Sequence, residues 1–463
     1  MLRVAGSAMC SFPHLPSDRR LVSKENRWHA KFVRLVKCKQ HVESSLAIIT
    51  NMVFGVENLK SSDIKQDFIS SPQSEFDQTR DKTIARYASV SGCRSLRECW
   101  AMSGSQNESL ASSLPGAIDT VRDAWANFGD TRFINNFTEV SAHVSTNRVF
   151  RLAMSDNSNL IAKVSSYGSY FQFAEDHDRL ARCSEQLRGD RWSGFLAEVL
   201  GKDGRPYTWY DESCWAVFYT DVQRQDSLPR ILTDQDVITL AQEIAEFHLA
   251  CAAIAPSLPP TSNSVKGDAI HLFDLLRESQ APQNFGLDKS DIGVLQHSTH
   301  DLLLHLEKVH YDEWLRIPIL VDWNLGNFSV QAPQNNSGRS FQLSTRWDYD
   351  WFRVESRLLD FYFLSRVSSR TGDRTQFSYS AHTFNEPRFL KFLAAYNQIY
   401  PLSPIEIEFL PFAYRFFLLN YVIREGARFF RPDLCAQFRR DAAREHLVNS
   451  TQLDLSELLK IVG

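Results

Sequence analysis

Past Leu114-Pro115-Gly116, apolar residues recur at Ile118, Val121, Ala124, Trp125 and Phe128. That spacing predicts an amphipathic helix over 117–128, with Pro115 suited to its start. From Phe133 to Val164 the period shortens to two. Val149-Phe150-Arg151-Leu152 and Leu160-Ile161-Ala162-Lys163-Val164 flank the polar run Ser155-Asp156-Asn157-Ser158, which predicts an antiparallel hairpin. A helix is expected over 171–187, then strands over 195–200 and 215–219 around the turn Lys202-Asp203-Gly204-Arg205-Pro206. Strand, strand, helix, strand, strand makes a small α+β lobe.

Beyond Tyr219 the helical period takes over, over 234–253, 270–278, 289–309 and several stretches after Glu386. A strand-rich island from Ile319 to Trp347 interrupts it. The expected class is therefore α+β and bilobal: an antiparallel-sheet amino lobe over 111–220 and a larger helical carboxy lobe over 221–463, with a hairpin embedded at 317–350. Residues 1–110 mix polar patches (61–80, 103–113) with short apolar runs and carry no metal-ligand or phosphate pattern. They are expected to form a partly disordered extension.

Composition narrows the function classes. The chain has 463 residues, 43% of them hydrophobic, enough for a sizeable core. A formal net charge of -4 gives no reason to expect a nucleic-acid partner, which calls for a clustered basic surface. The 8 cysteines are scattered, without a CxxC pair or histidines at zinc-finger spacing, as in reduced thiols of a cytoplasmic protein. No apolar run approaches the ~20 residues that cross a bilayer, so no membrane is expected. The start, 1–40, is rich in Arg and Lys and poor in acids; it lacks a secretory apolar segment, and an organelle transit peptide is the alternative to a floppy extension.

The most informative stretch is Ile317-Pro318-Ile319-Leu320-Val321-Asp322-Trp323-Asn324-Leu325-Gly326-Asn327-Phe328-Ser329-Val330. Two apolar strands enclose a polar loop in which an aspartate precedes an asparagine by five positions. Phosphoryl transfer uses that spacing, because one carboxylate receives or orients the acceptor's hydroxyl proton while an amide oxygen one loop-turn later coordinates Mg2+. After the turn at 333–338, Phe341 to Trp347 returns to Asp348 and places a second carboxylate beside the first loop. Mg2+ takes its oxygens from one or two carboxylates plus substrate phosphates, so Asn327 and Asp348 are candidate ligands. A surface hairpin with solvated aspartates is the bland alternative.

With these motifs the chain resembles the aminoglycoside phosphotransferase and choline kinase-like superfamily, relatives of the protein kinases. The family pattern is HGDxxxxN followed by a strand ending in an aspartate. The resemblance implies Asp322 as catalytic aspartate, Asn327 and Asp348 on the metal, and Asp360 in Leu358-Leu359-Asp360-Phe361 as a structural aspartate. It also implies ATP and Mg2+ as cofactors and a small-molecule hydroxyl as acceptor. In the small lobe, Lys163 would hold the α- and β-phosphates, paired with Glu175 of the next helix or with its neighbour Asp176. Backbone groups around Phe218 and Thr220 would meet the adenine as a hinge, and Ser145 and Thr146 would offer hydrogen bonds to phosphate oxygens. His248, in the segment resembling the family's L-A-x-L-H helix, would be structural.

The resemblance covers about 130–370 and departs from the family at two points. Leu320 replaces the loop histidine that braces the loop and the metal aspartate, and no glycine-rich phosphate loop is present. Hence two alternatives stand beside an active small-molecule kinase. One is a pseudokinase or nucleotide-binding scaffold. The other is a protein kinase, disfavoured because the chain after Asp348 runs straight into Trp351-Phe352-Arg353-Val354 and an apolar helix, leaving little room for a peptide platform.

Overall fold

The structure, a computed structural model, describes residues 116–463 apart from 142–146, 167, 223, 260, 334–337, 373–379 and 451. The expected extension over 1–110 lies outside the described residues.

The amino lobe opens with α1 (Ala117–Phe128), held between Gly116 and Gly129, both at positive φ. Strands β1 (Ile134–Glu139), β2 (Arg148–Met154) and β3 (Asn159–Ser165) follow, then α2 (Tyr170–Gln186). The β2–β3 hairpin closes on Asn157 at φ 65, and the Ser158 N–H donates to Asp156 Oδ1 at 3.0 Å. After the short pair β4 (Gly201–Lys202) and β5 (Arg205–Pro206) come β6 (Thr208–Tyr210) and β7 (Trp215–Thr220), completing an antiparallel sheet in the order β1-β2-β3-β7-β6.

Two-residue alternation sorts this sheet into two faces. Phe150, Leu152, Leu160, Ala162, Val164, Ala216 and Phe218 pack with Val121, Ala124 and Trp125 of α1 in one core. Lys163, Val217 and Tyr219 project from the other face; Val217 and Tyr219 join the core of the large lobe. The expected strand over 195–200 forms no continuous ladder. It touches its neighbours through single bridges, Val199 to Tyr219 and Leu196 to Arg346.

The large lobe is built on α3 (Asp234–Ile254), started by a capping box of Thr233 and Asp236. Helices α4 (Val265–Arg277) and α5 (Lys289–Lys308) follow. The stretch 234–257 is long and apolar enough to span a bilayer by length and composition, contrary to expectation. In this protein it is the central core helix, with Glu243 and His248 fully buried along it. Next come β8 (Ile317–Ile319), β9 (Phe328–Gln331), β10 (Gln342–Arg346) and β11 (Arg353–Glu355). Helices α6 (Phe361–Ser368), α7 (Pro387–Ile399) and α8 (Pro404–Phe417) then close the core. The two-lobed arrangement expected from the sequence is the one found.

The embedded island differs from a single hairpin. β9 pairs with β10, but β8 pairs with β11, with Ile319 opposite Arg353. This exchange of partners lays the loop 320–327 against the turn 347–352. Glu243 fastens β10 to α3: fully buried, it accepts from Leu343 N at 2.9 Å and Arg339 Nη1 at 2.6 Å, and it pairs with Arg191. Removing a buried acid strands its partners. Glu243→Ala is expected to lower unfolding free energy by about 3 kcal/mol, read by urea denaturation, and a loss under ~1 kcal/mol would show the cluster to be peripheral.

Candidate active site

The loop after β8 is held in an unusual conformation. Val321 sits at φ 58, a region that β-branched residues rarely occupy, at a cost on the order of 1–3 kcal/mol. Tight turns flank it: Asp322 N donates to Leu320 O at 2.7 Å, and Trp323 N donates to Val321 O at 3.1 Å. What holds the loop there is Asp360, with no exposed surface. Its Oδ1 accepts from Val321 N at 2.7 Å, and its Oδ2 accepts from Trp323 Nε1 at 2.7 Å. His248 Nε2 lies 3.0 Å from the same Oδ2, and its Nδ1 lies 2.8 Å from Tyr396 Oη.

A second brace comes from Arg346, which the sequence pattern does not reveal. Its Nη1 donates to Asn327 O at 2.7 Å and to Trp347 O at 2.6 Å, and its Nη2 donates to Asp322 O at 2.7 Å. One guanidinium thus joins the carbonyls of the aspartate loop and of the turn carrying Asp348. Leu320, by contrast, is a buried apolar residue of the core. A register shift between Leu343 and Thr345 explains why Arg346 escapes notice. The extra residue inverts the in-out alternation, so an arginine that period-two reading assigns to the surface points inward.

Asp322, Asn327 and Asp348 are brought together by these contacts. Burial pushes the Asp322 carboxyl up to about 6, and the charge of Asp348 adds to it, while Arg346 and Arg366 oppose. Asp348 itself is exposed and sits at φ 65. The Asn327 Nδ2 leans on Asp322 O at 3.5 Å, which leaves its Oδ1 for another partner. No group of three or more His, Cys, Asp or Glu suited to a metal occurs among the described residues. The donors present, an exposed carboxylate and an amide oxygen beside a second carboxylate of raised proton affinity, fit a hard cation such as Mg2+ that completes its shell with phosphate oxygens.

Lys163, on the cleft face of β3, is buried, and burial lowers its proton affinity against the opposing pull of Asp348. Its ion-pair partner is Asp350. The expected partner Glu175 is turned elsewhere: it accepts from Ser262 Oγ at 2.6 Å and pairs with Arg179 at 3.4 Å. Asp176 is held by Arg179 as well, at 2.6 Å, so the helix uses its own acids one turn on.

The expected hinge falls at the end of β7. The Phe218 side chain lies on the α1 face of the sheet, opposite Lys163, and its carbonyl accepts from Leu200 N at 2.8 Å. Thr220 N donates to Glu198 O at 2.9 Å. These two bonds occupy the Phe218 carbonyl and the Thr220 amide. Ser145 and Thr146 lie outside the described residues.

No protein-family profile matches the chain, and no curated protein matches its sequence. Solved structures do resemble it. An amicoumacin kinase in complex with AMP-PNP and Ca2+ is 12% identical, covers 70% of this chain and 91% of its own, and gives a TM-score of 0.48. A microcompartment-associated aminopropanol kinase is 16% identical over 74% of this chain and 99% of its own, at 0.48. A type I macrolide 2'-phosphotransferase is 14% identical over 74% and 98%, at 0.39. Likeness at this level says nothing of substrate or reaction, which rest on the geometry of the chain's own residues.

Because the folded protein holds the Asp322 proton more tightly than an unfolded carboxylate near 3.8, ionising Asp322 opposes folding. The opposition is absent below that ordinary value, grows as pH rises, and is complete above about 6. Asp322→Asn is therefore expected to stabilise the metal-free protein by about 1–2 kcal/mol at pH 8 and by almost nothing at pH 4. Urea unfolding in EDTA at the two pH values measures this, and an equal gain at both would contradict the electrostatic origin.

Proposed function

We propose that this protein is an ATP-dependent phosphotransferase that moves the γ-phosphoryl of ATP to a hydroxyl of a small molecule. The observation that carries the reading is the convergence of Asp322, Asn327 and Asp348 on two braced, adjoining turns, with the buried Lys163 facing them from the small lobe. Asp322 takes or orients the acceptor's hydroxyl proton, and its raised proton affinity suits a group that gains a proton as the bond forms. The acceptor oxygen bonds to the γ-phosphorus, the bond from phosphorus to the β,γ-bridging oxygen breaks, and ADP leaves. Asn327 and Asp348 would hold Mg2+, which would supply charge neutralisation to the phosphates. Lys163 lies on the α- and β-phosphates, so positioning and charge account for most of the rate.

A small acceptor is favoured over a peptide because every residue from Trp351 to Ser368 is buried, through β11 and α6. No extended segment is left there to seat a chain. Arg346 supports activity over a scaffold role, since it links the backbones that a loop histidine would brace in the family this chain resembles.

The two carboxylates are expected to fail differently. Asp348→Asn should weaken Mg2+-dependent ATP binding, because it removes an anionic ligand. Asp322→Asn should leave ATP affinity nearly unchanged and lower turnover by roughly 10²-fold or more. ATP turnover across a panel of metabolites and aminoglycosides, with calorimetric ATP titration of each variant, makes the comparison. Wild-type turnover in both variants would remove these two residues from the chemistry, and ATP binding with no turnover for any acceptor in the unmutated protein would replace this reading with a nucleotide-binding scaffold.

A further inference from the structure

In a site where a lysine must meet phosphates, something has to hold its ammonium in place, and the helix carboxylates that could do so are all engaged. Glu175 is bound by Ser262 and Arg179, Asp176 by Arg179 at 2.6 Å, and Asp178 by Arg182 at 3.2 Å. Asp176 had the opportunity, because it lines the same cavity as Lys163 and Asp350. His177 fixes the helix in this setting: its ring lies 2.6 Å from Tyr219 Oη on β7 and 2.6 Å from Phe173 O.

Asp350 makes the contact instead. Its Oδ1 pairs with Lys163 Nζ, and its Oδ2 accepts from Asn147 Nδ2 at 2.6 Å. Asn147 is buried at the foot of β2, immediately after the undescribed residues 142–146, so one carboxylate grips two neighbouring strands of the small lobe. The Asp350 N–H in turn leans on Asp348 Oδ1 at 3.4 Å. The aspartate that touches the lysine is therefore built into the turn that carries the candidate metal ligand.

We infer that Asp350 is the positioning residue for Lys163, a carboxylate supplied across the cleft by the large lobe in place of one from α2. The inference rests on the phosphotransferase reading for its consequence, alignment of Lys163 on the nucleotide phosphates, but not for the contact itself. Pairing across the cleft makes the lysine's placement depend on closure of the two lobes around the metal turn. A helix-borne partner would tie it to the orientation of α2.

The experiment has two arms, both on the full-length protein. In EDTA without nucleotide, thermal melting is followed for Lys163→Met, Asp350→Asn and the double variant, beside cycles pairing Lys163→Met with Asp176→Asn and with Glu175→Gln. Each single change at 163 and 350 is expected to lower the melting temperature, with the double variant no lower than the worse single one, while the other cycles are additive. In the second arm ATP is titrated with Mg2+ by calorimetry. Asp350→Asn should raise the dissociation constant at least tenfold, Asp350→Glu should stay within threefold of wild type, and Glu175→Gln and Asp176→Asn should stay within twofold.

Additive melting shifts for 163 and 350, or coupling of Lys163 to Asp176 or Glu175, overturns the inference. So does tighter ATP binding by Asp350→Asn, which would make the pair a latch against nucleotide. If Asp350→Asn does not fold, the charge-preserving Asp350→Glu decides, and a tenfold or greater loss there counts against the inference. A wild-type protein that binds no ATP sinks the phosphotransferase reading alone, because the melting arm still rules on the pairing.

Discussion

A single buried carboxylate, Asp360, sets the geometry on which the rest of the centre depends. It gathers three donors from two segments, the Val321 amide and the Trp323 indole of the loop and the His248 ring of α3. Together these offset the cost of keeping a valine at positive φ. Without that kink the chain would leave β8 along its own axis, and Asp322 would not turn toward the adjoining hairpin. A charge with no exposed surface is tolerated only when its lone pairs are filled, and here each oxygen has at least one short partner.

Around this anchor the molecule arranges opposite charges at short range. Arg346 feeds the carbonyls behind Asp322 and Asn327, so its positive charge sits beneath two aspartates that would otherwise repel each other without relief. It does not cancel the repulsion, since the Asp322 carboxyl stays up at about 6. A site left with surplus negative potential attracts a cation, and a bound cation then attracts phosphate.

How much of this was visible in the sequence depends on distance along the chain. The β2–β3 hairpin, α1, α3 and the bilobal division follow from periods of two and 3.6 and could be read directly. Asp322 and Asn327 stand out as candidates because one loop between apolar strands fixes their spacing, and Asp348 because β10 returns it beside that loop. Arg346 was hidden by a one-residue slip in β10, and the pairing of β8 with β11 was hidden because adjacency in sequence favoured a single hairpin. The Asp350 contact joins residues 187 positions apart along the chain, beyond any local rule.

The way α2 is fastened has a regulatory corollary. Its acids Glu175 and Asp176 are engaged by Arg179 of the same helix, and His177, whose basicity burial drives down to about 3, stays a neutral link to Tyr219 at any physiological pH. Swinging such a helix outward would break its bonds to the sheet without releasing the lysine. Displacing α2 therefore leaves the Lys163–Asp350 pair in place, and it is the gap between the two lobes that sets its geometry.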